Sequence, residues 1–174
     1  MRTHPSDHVS IGLTHNSIGN VHGNKGDNSR ALESYNRAVS LFKQAHDENH
    51  PKMAMFYNNI GIIYQKQQKY LEALDFYEKS LTIWKKHLPS DHPDFGRSYN
   101  NIGSVHHGLG HFDLALEHYN RSLEISLKSL PAQHPTIETT YENMGLVYEV
   151  RGELEQAHTL LQEVSKIHCH SLSS

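Results

Sequence analysis

Apolar and aromatic positions recur at helical spacing along the chain. Tyr57, Ile60, Gly61 and Tyr64 fall at 0, 3, 4 and 7, and Tyr70, Ala73, Leu74, Tyr77, Leu81 and Trp84 fall at 0, 3, 4, 7, 11 and 14. Each series puts its residues on one face of an α-helix. The polar run KQQK between them predicts a short turn, so this stretch reads as a helical hairpin. NKGD, LGH and RGE offer the same kind of turn elsewhere.

The hairpin repeats. Gly19, Gly61, Gly103 and Gly145 stand 42 residues apart, and Ala31, Ala73, Ala115 and Ala157 each follow by twelve. An aromatic or histidine precedes each glycine by four (His15, Tyr57, Tyr99, Tyr141) and another follows by three (His22, Tyr64, His106, Tyr148). A fixed period of this length marks a stack of supersecondary units. Four copies, at about 8–49, 50–91, 92–133 and 134–170, fill nearly the whole chain. Residues 1–174 are therefore expected to form a single all-α repeat domain of eight helices in four antiparallel pairs.

The copy boundaries carry their own signals. Leu88-Pro89 and Leu130-Pro131 end the second helices of copies two and three, because proline cannot continue a helix. His50-Pro51, His92-Pro93 and His134-Pro135 then open the next helices, with proline at its tolerated first position. The repeated glycine needs a reason, since each mid-helix glycine costs about 1 kcal/mol relative to alanine. Close approach of the two helices of a pair, with the alanine of the second helix completing the contact, is the expected one.

Composition narrows the function classes. The apolar fraction is 36% and the mean hydropathy is −0.66, as expected of a chain whose repeats keep two sides in water. A net charge of −3 gives no electrostatic reason to expect nucleic acid or anionic lipid as partner. The single cysteine, Cys169, excludes an internal disulfide framework and fits a reducing compartment. MRTHPSDHVS lacks the apolar core of a signal peptide, and MAMFYNNIGIIY is too short to span a bilayer. The expected location is cytoplasmic, without membrane insertion.

Sixteen histidines raise a metal question. His8, His50, His92 and His134 share one repeat position and are too dispersed to share an ion. His106, His107, His111 and His118 span a turn interrupted by Gly108 and Gly110, and His168-Cys169-His170 could trap an ion only adventitiously. No spacing matches a structural zinc site, so neither a metal nor a cofactor is expected. HExxH, GxSxG and a phosphate-binding glycine loop are all missing from the sequence, so no catalytic residue is assigned.

The order Tyr57, Ile60-Gly61, Tyr64, Ala73, Tyr77 resembles the tetratricopeptide repeat, usually 34 residues long. The 42-residue period, the Leu-Pro and His-Pro junctions and the Asn-Asn before the apolar-Gly pair are similar to the kinesin light chain subclass. The resemblance covers about residues 5–168. It implies a right-handed superhelical solenoid whose first helices line a concave groove, with Asn20, Asn59, Arg97, Asn101 and Asn143 facing it and Asn16, Asn58 and Asn100 beside them. Such amides, each with donors and an acceptor, can hold a peptide main chain without reading its sequence. The alternative is that they bond neighbouring helices or face water.

The implied function is a non-catalytic protein-interaction scaffold binding an extended peptide, with cargo or adaptor segments of a kinesin-type motor complex as implied partners. Residues 9–24, 51–67 and 93–109 contain one acid, Asp94, against Lys52, Lys66 and Arg97, which favours an acidic or neutral peptide. The fourth first helix, with Glu138, Glu142 and Glu149, would repel one. The basic clamp used by some such repeats for a chaperone tail carboxylate is incomplete, because Asn16 and Asn101 occupy positions that need cations. A regulatory repeat segment of a larger enzyme or signalling protein is the competing reading.

Overall fold

The computed structural model describes residues 5–46 and 48–171, with side chains for 8–46 and 48–167. His168, Cys169 and His170 therefore lie outside the described side chains. Eight α-helices and no strand occur among the described residues, so the fold class is all-α, built from repeated helical hairpins. The chain divides into two compact units, Met1–Leu88 and Pro89–Ser174.

In the first unit α1 (Pro5–Asn24) pairs with α2 (Asn28–Ala45), and α3 (Pro51–Lys66) pairs with α4 (Tyr70–His87). The second hairpin packs on the first through α2 and α3, and α1 also touches α3. The second unit repeats the plan with α5 (Pro93–Gly108), α6 (Phe112–Ser129), α7 (Pro135–Val150) and α8 (Leu154–Ser171). There α6 packs on α7, and α5 touches α7.

The His-Pro junctions act as more than punctuation. His50 Nδ1 accepts from Lys52 N, His92 Nδ1 from Asp94 N and His134 Nδ1 from Thr136 N, each at 3.2 Å. A neutral imidazole thus caps an otherwise unsatisfied N–H of the first turn, and the proline that follows has no N–H to satisfy. Asp27 fills this role for α2, accepting from Arg30 N at 3.2 Å. Each hairpin turn needs one residue in the left-handed region: Gly26 (φ 79°), Gln68 (φ 59°), Gly110 (φ 76°) and Gly152 (φ 76°) stand one repeat apart. Only Gln68 takes up that conformation with a side chain.

The repeated glycine lies against the paired helix, as its cost implied. A Cβ on Gly61 would stand 2.6 Å from Tyr77 Cε1, and one on Gly103 would stand 2.7 Å from Tyr119 Cδ1. The partner is chiefly the tyrosine ring one turn beyond the alanine. The alanine contributes backbone, since Ala115 O would lie 3.1 Å from a Cβ on Gly103. In the fourth copy Leu161 replaces the tyrosine, and a Cβ on Gly145 would meet nothing closer than 4.0 Å.

The hairpin junctions use matching positions in both units. Ala31 and Tyr35 of α2 receive Ile60 and Ile63 of α3 in the first, all nearly or fully buried. Ala115 and Tyr119 of α6 receive Met144 and Val147 of α7 in the second. Burying an aliphatic side chain contributes about 1.5–3 kcal/mol, so the junctions are major stabilising contacts.

Candidate functional site

The asparagines singled out from sequence fall into two groups, one in each unit. In the first, Asn59 Nδ2 donates to Asn16 Oδ1 at 2.9 Å and to Asn20 Oδ1 at 3.3 Å. Asn20 Oδ1 also accepts from Tyr35 OH at 2.8 Å. Burial pushes the Tyr35 phenol up to about 12, so it stays a donor at neutral pH. Asn16 is buried, Asn59 half-buried and Asn20 exposed. In the second unit Asn143 Nδ2 donates to Asn100 Oδ1 at 3.2 Å, both residues half-buried. These bonds join first helices one repeat apart, so the amides bridge neighbouring hairpins.

That bridging leaves part of each amide unused. An asparagine has two N–H donors and one carbonyl acceptor. Among the described residues Asn59 only donates, and so does Asn143. Their carbonyls can accept from a ligand main chain without breaking the bridge. Asn58 is buried, and Asn101 is half-buried on α5, four residues beyond the exposed Arg97 and on the same helical face.

The cations are partly committed. Lys66 Nζ donates to Gly23 O at 3.0 Å, in the last turn of α1, where an ammonium also meets the negative end of the helix dipole. Arg97 lies 3.6 Å from Asp94 and keeps 56% of its side chain exposed. An exposed pair of that length is weak, about 0–1 kcal/mol, and can yield to a ligand carboxylate. Lys52 is exposed in the first turn of α3. The three charges of α7 are all acidic, as the sequence implied: Glu142 and Glu149 are exposed and Glu138 is half-buried.

His106, which replaces an aromatic of the repeat, packs as one. His106 stacks on His118 at 5.2 Å with the planes 1° apart, and His118 stacks on Tyr99 at 6.0 Å. Burial holds the His118 ring below the usual histidine range, the Glu117 carboxylate opposing more weakly. Among the described residues no group of three or more His, Cys, Asp or Glu is placed to hold a metal ion. None of the described helices is long and apolar enough to cross a membrane.

Sequence reasoning found the amide positions and missed three partners: the imidazole caps, the Lys66 bond to Gly23 and the Tyr35 bond to Asn20. The recurrent histidine before proline was the available signal for the caps. No sequence signal marked the other two.

The family model of the tetratricopeptide repeat matches this chain at residues 10–86, 52–128 and 94–169. No curated protein sequence matches it. Among solved structures, BtubC (BKLC) from P. vanneervenii aligns over 100% of this chain and 68% of its own, with 19% identity and a TM-score of 0.86. TPR-like repeats of a protein described as a kinesin light chain, from Podosopora anserina, align over 94% and 77%, with 21% identity and a TM-score of 0.70. MamA aligns over 94% and 81%, with 19% identity and a TM-score of 0.67. At such identities the likeness concerns the fold alone.

Proposed function

The chain belongs to the tetratricopeptide repeat family, and on that footing we propose that it is a non-catalytic cytoplasmic scaffold whose first-helix faces hold an extended peptide. The observation that carries this reading is the unused carbonyl capacity of the bridging amides. Asn59 and Asn143 donate to neighbouring helices and accept nothing among the described residues. A peptide N–H can therefore dock on either amide while the hairpin junction stays intact. In the first unit Asn20 and Asn59 are the proposed main-chain contacts. In the second, Asn101 and Asn143 take that role and Arg97 supplies a charge-assisted contact.

An acidic or neutral ligand suits the second unit at Arg97 and the first at Lys52, while α7 disfavours acids near Glu142 and Glu149. By analogy with the kinesin light chain repeats whose fold it shares, a segment with an aromatic residue flanked by acids is the proposed ligand, and a motor cargo or adaptor its proposed source.

Fluorescence polarisation with a library of labelled aromatic-acidic peptides tests this. Arg97→Glu should weaken binding about tenfold and flatten its salt dependence, whereas Asn101→Ala should weaken it with the salt dependence kept. Absence of binding, or equal binding by the folded double variant, overturns the proposal.

A further inference from the structure

The register of the hairpin junctions points to a contact between copies of this chain. Four positions make each junction: Ala31 and Tyr35 with Ile60 and Ile63 in the first unit, Ala115 and Tyr119 with Met144 and Val147 in the second. The incoming pair is only 1% and 2% exposed in the first and 4% and 0% exposed in the second. One repeat before Ile60 and Ile63 stand Ile18 and Val21 of α1, which are 40% and 52% exposed. One repeat after Ala115 and Tyr119 stand Ala157 and Leu161 of α8, where Leu161 is 43% exposed. The first copy thus presents the incoming half of a junction, and the fourth presents the receiving half.

Polar positions match in the same register. In the first unit Asn59 donates to Asn16, and Lys66 donates to the Gly23 carbonyl. The donors' equivalents on α1 are Ser17 and Asn24, and the acceptors' equivalents on α7 are Glu142 and Glu149. The α7 surface that α1 would meet carries two exposed carboxylates, Glu142 and Glu149, and no cation. Charge agrees too. Residues 9–24 carry no acid, and the open groove of ≈ 600 Å³ beside Ile18 is lined by His15 and His22 of α1 and by Arg30, Arg37 and the single acid Glu33 of α2.

We infer that copies of this chain associate head to tail, α1 of one copy seating on the α7–α8 face of the next as α3 seats on the α1–α2 face within the first unit. The occupant is a second copy, because its α1 supplies the apolar pair in the register that the α7–α8 face requires and an acid-free surface opposite the exposed carboxylates of α7. Such a contact is heterologous: each added copy leaves one face of each kind open, so assembly proceeds beyond a dimer unless the ends meet.

Sedimentation velocity on the full chain, from about 1 to about 200 µM, reads the outcome directly. The wild-type mass should rise with concentration above 19.9 kDa. Ile18→Asp with Val21→Asp blocks the α1 face, and Leu161→Glu with Leu146→Glu, at a leucine of α7 that is 49% exposed, blocks the α7–α8 face. Each double variant alone should remain a monomer, and an equimolar mixture should form a one-to-one dimer and nothing larger. Serine at 18 and 21, and glutamine at 161, replace the charged substitutions if helical circular dichroism is lost. A wild-type chain that stays monomeric throughout overturns the inference. So does a mixture that fails to pair, which is the result expected of a symmetric contact or of faces that receive another protein.

Discussion

The ring of Tyr77 lies so close over Gly61 that a Cβ there would stand 2.6 Å from its Cε1. Tyr77 is fully buried and its hydroxyl donates to Gln65 Oε1 at 2.7 Å, so the ring is fixed at both its face and its tip. Burial also pushes the phenol well above its ordinary pKa, which keeps that donor protonated. Glycine is the residue that lets α3 and α4 approach this closely, and the helix-propensity loss of about 1 kcal/mol is offset by the ring's burial.

Alanine scanning of the repeated glycines should therefore split by copy. Gly61→Ala and Gly103→Ala force a methyl against a buried ring and should destabilise by about 1–3 kcal/mol. Gly145→Ala meets only Leu161 at 4.0 Å and should stabilise α7 by about 0.5–1 kcal/mol. Urea midpoints shifting the same way in all three variants would contradict the tyrosine contact.

The turn at Gln68 predicts an opposite use of glycine. Gln68 is exposed and holds φ 59°, where the other three hairpin turns have glycine. Left-handed backbone costs a residue with a Cβ about 1–2 kcal/mol, part of which glycine returns through its freer unfolded chain. Gln68→Gly should raise stability by about 0.5–1 kcal/mol, read by thermal unfolding, and Gly110→Gln should lower it by a similar amount.

The His50 cap makes stability depend on pH. His50 is held below the usual histidine range, first by burial and then by His46, Lys52 and His87. Its cap also requires a bare Nδ1. The folded state disfavours the protonated ring, so the unfolded chain binds more protons and stability falls as pH drops through the ordinary histidine value, about 6.5. The loss levels off below the depressed folded pKa, and the half-buried His118 adds to it in the same direction. Denaturant midpoints at pH 7.5 and pH 5 check this. His50→Ser keeps a cap oxygen, so it should reduce the difference between the two pH values.

The amide bridge should show as an energetic coupling. Asn16→Ala and Asn59→Ala each remove one side of the 2.9 Å bond, and the double-mutant cycle should return about 0.5–1.5 kcal/mol. A coupling near zero would mean that the amides face water independently.

Eight helices, their pairing and the family were legible in the sequence because each is encoded locally and four times over. Spacings of three, four and seven fix a helical face, proline fixes where a helix can begin or end, and the 42-residue register fixes which hairpins are alike. The positions of the asparagines were legible for the same reason. Their partners were not, because the Asn59 bond to Asn16 joins residues 43 apart in sequence and depends on how one hairpin seats against the next. Sequence likewise implied that Gly61 marks a close approach, but only the packed rings identified Tyr77 as the group that fills the space. Lys66 looked like a charge offered to a ligand until the end of α1 was brought within 3.0 Å of it. Local periodicity sets which residues share a helix face, and only tertiary packing decides which of them meet.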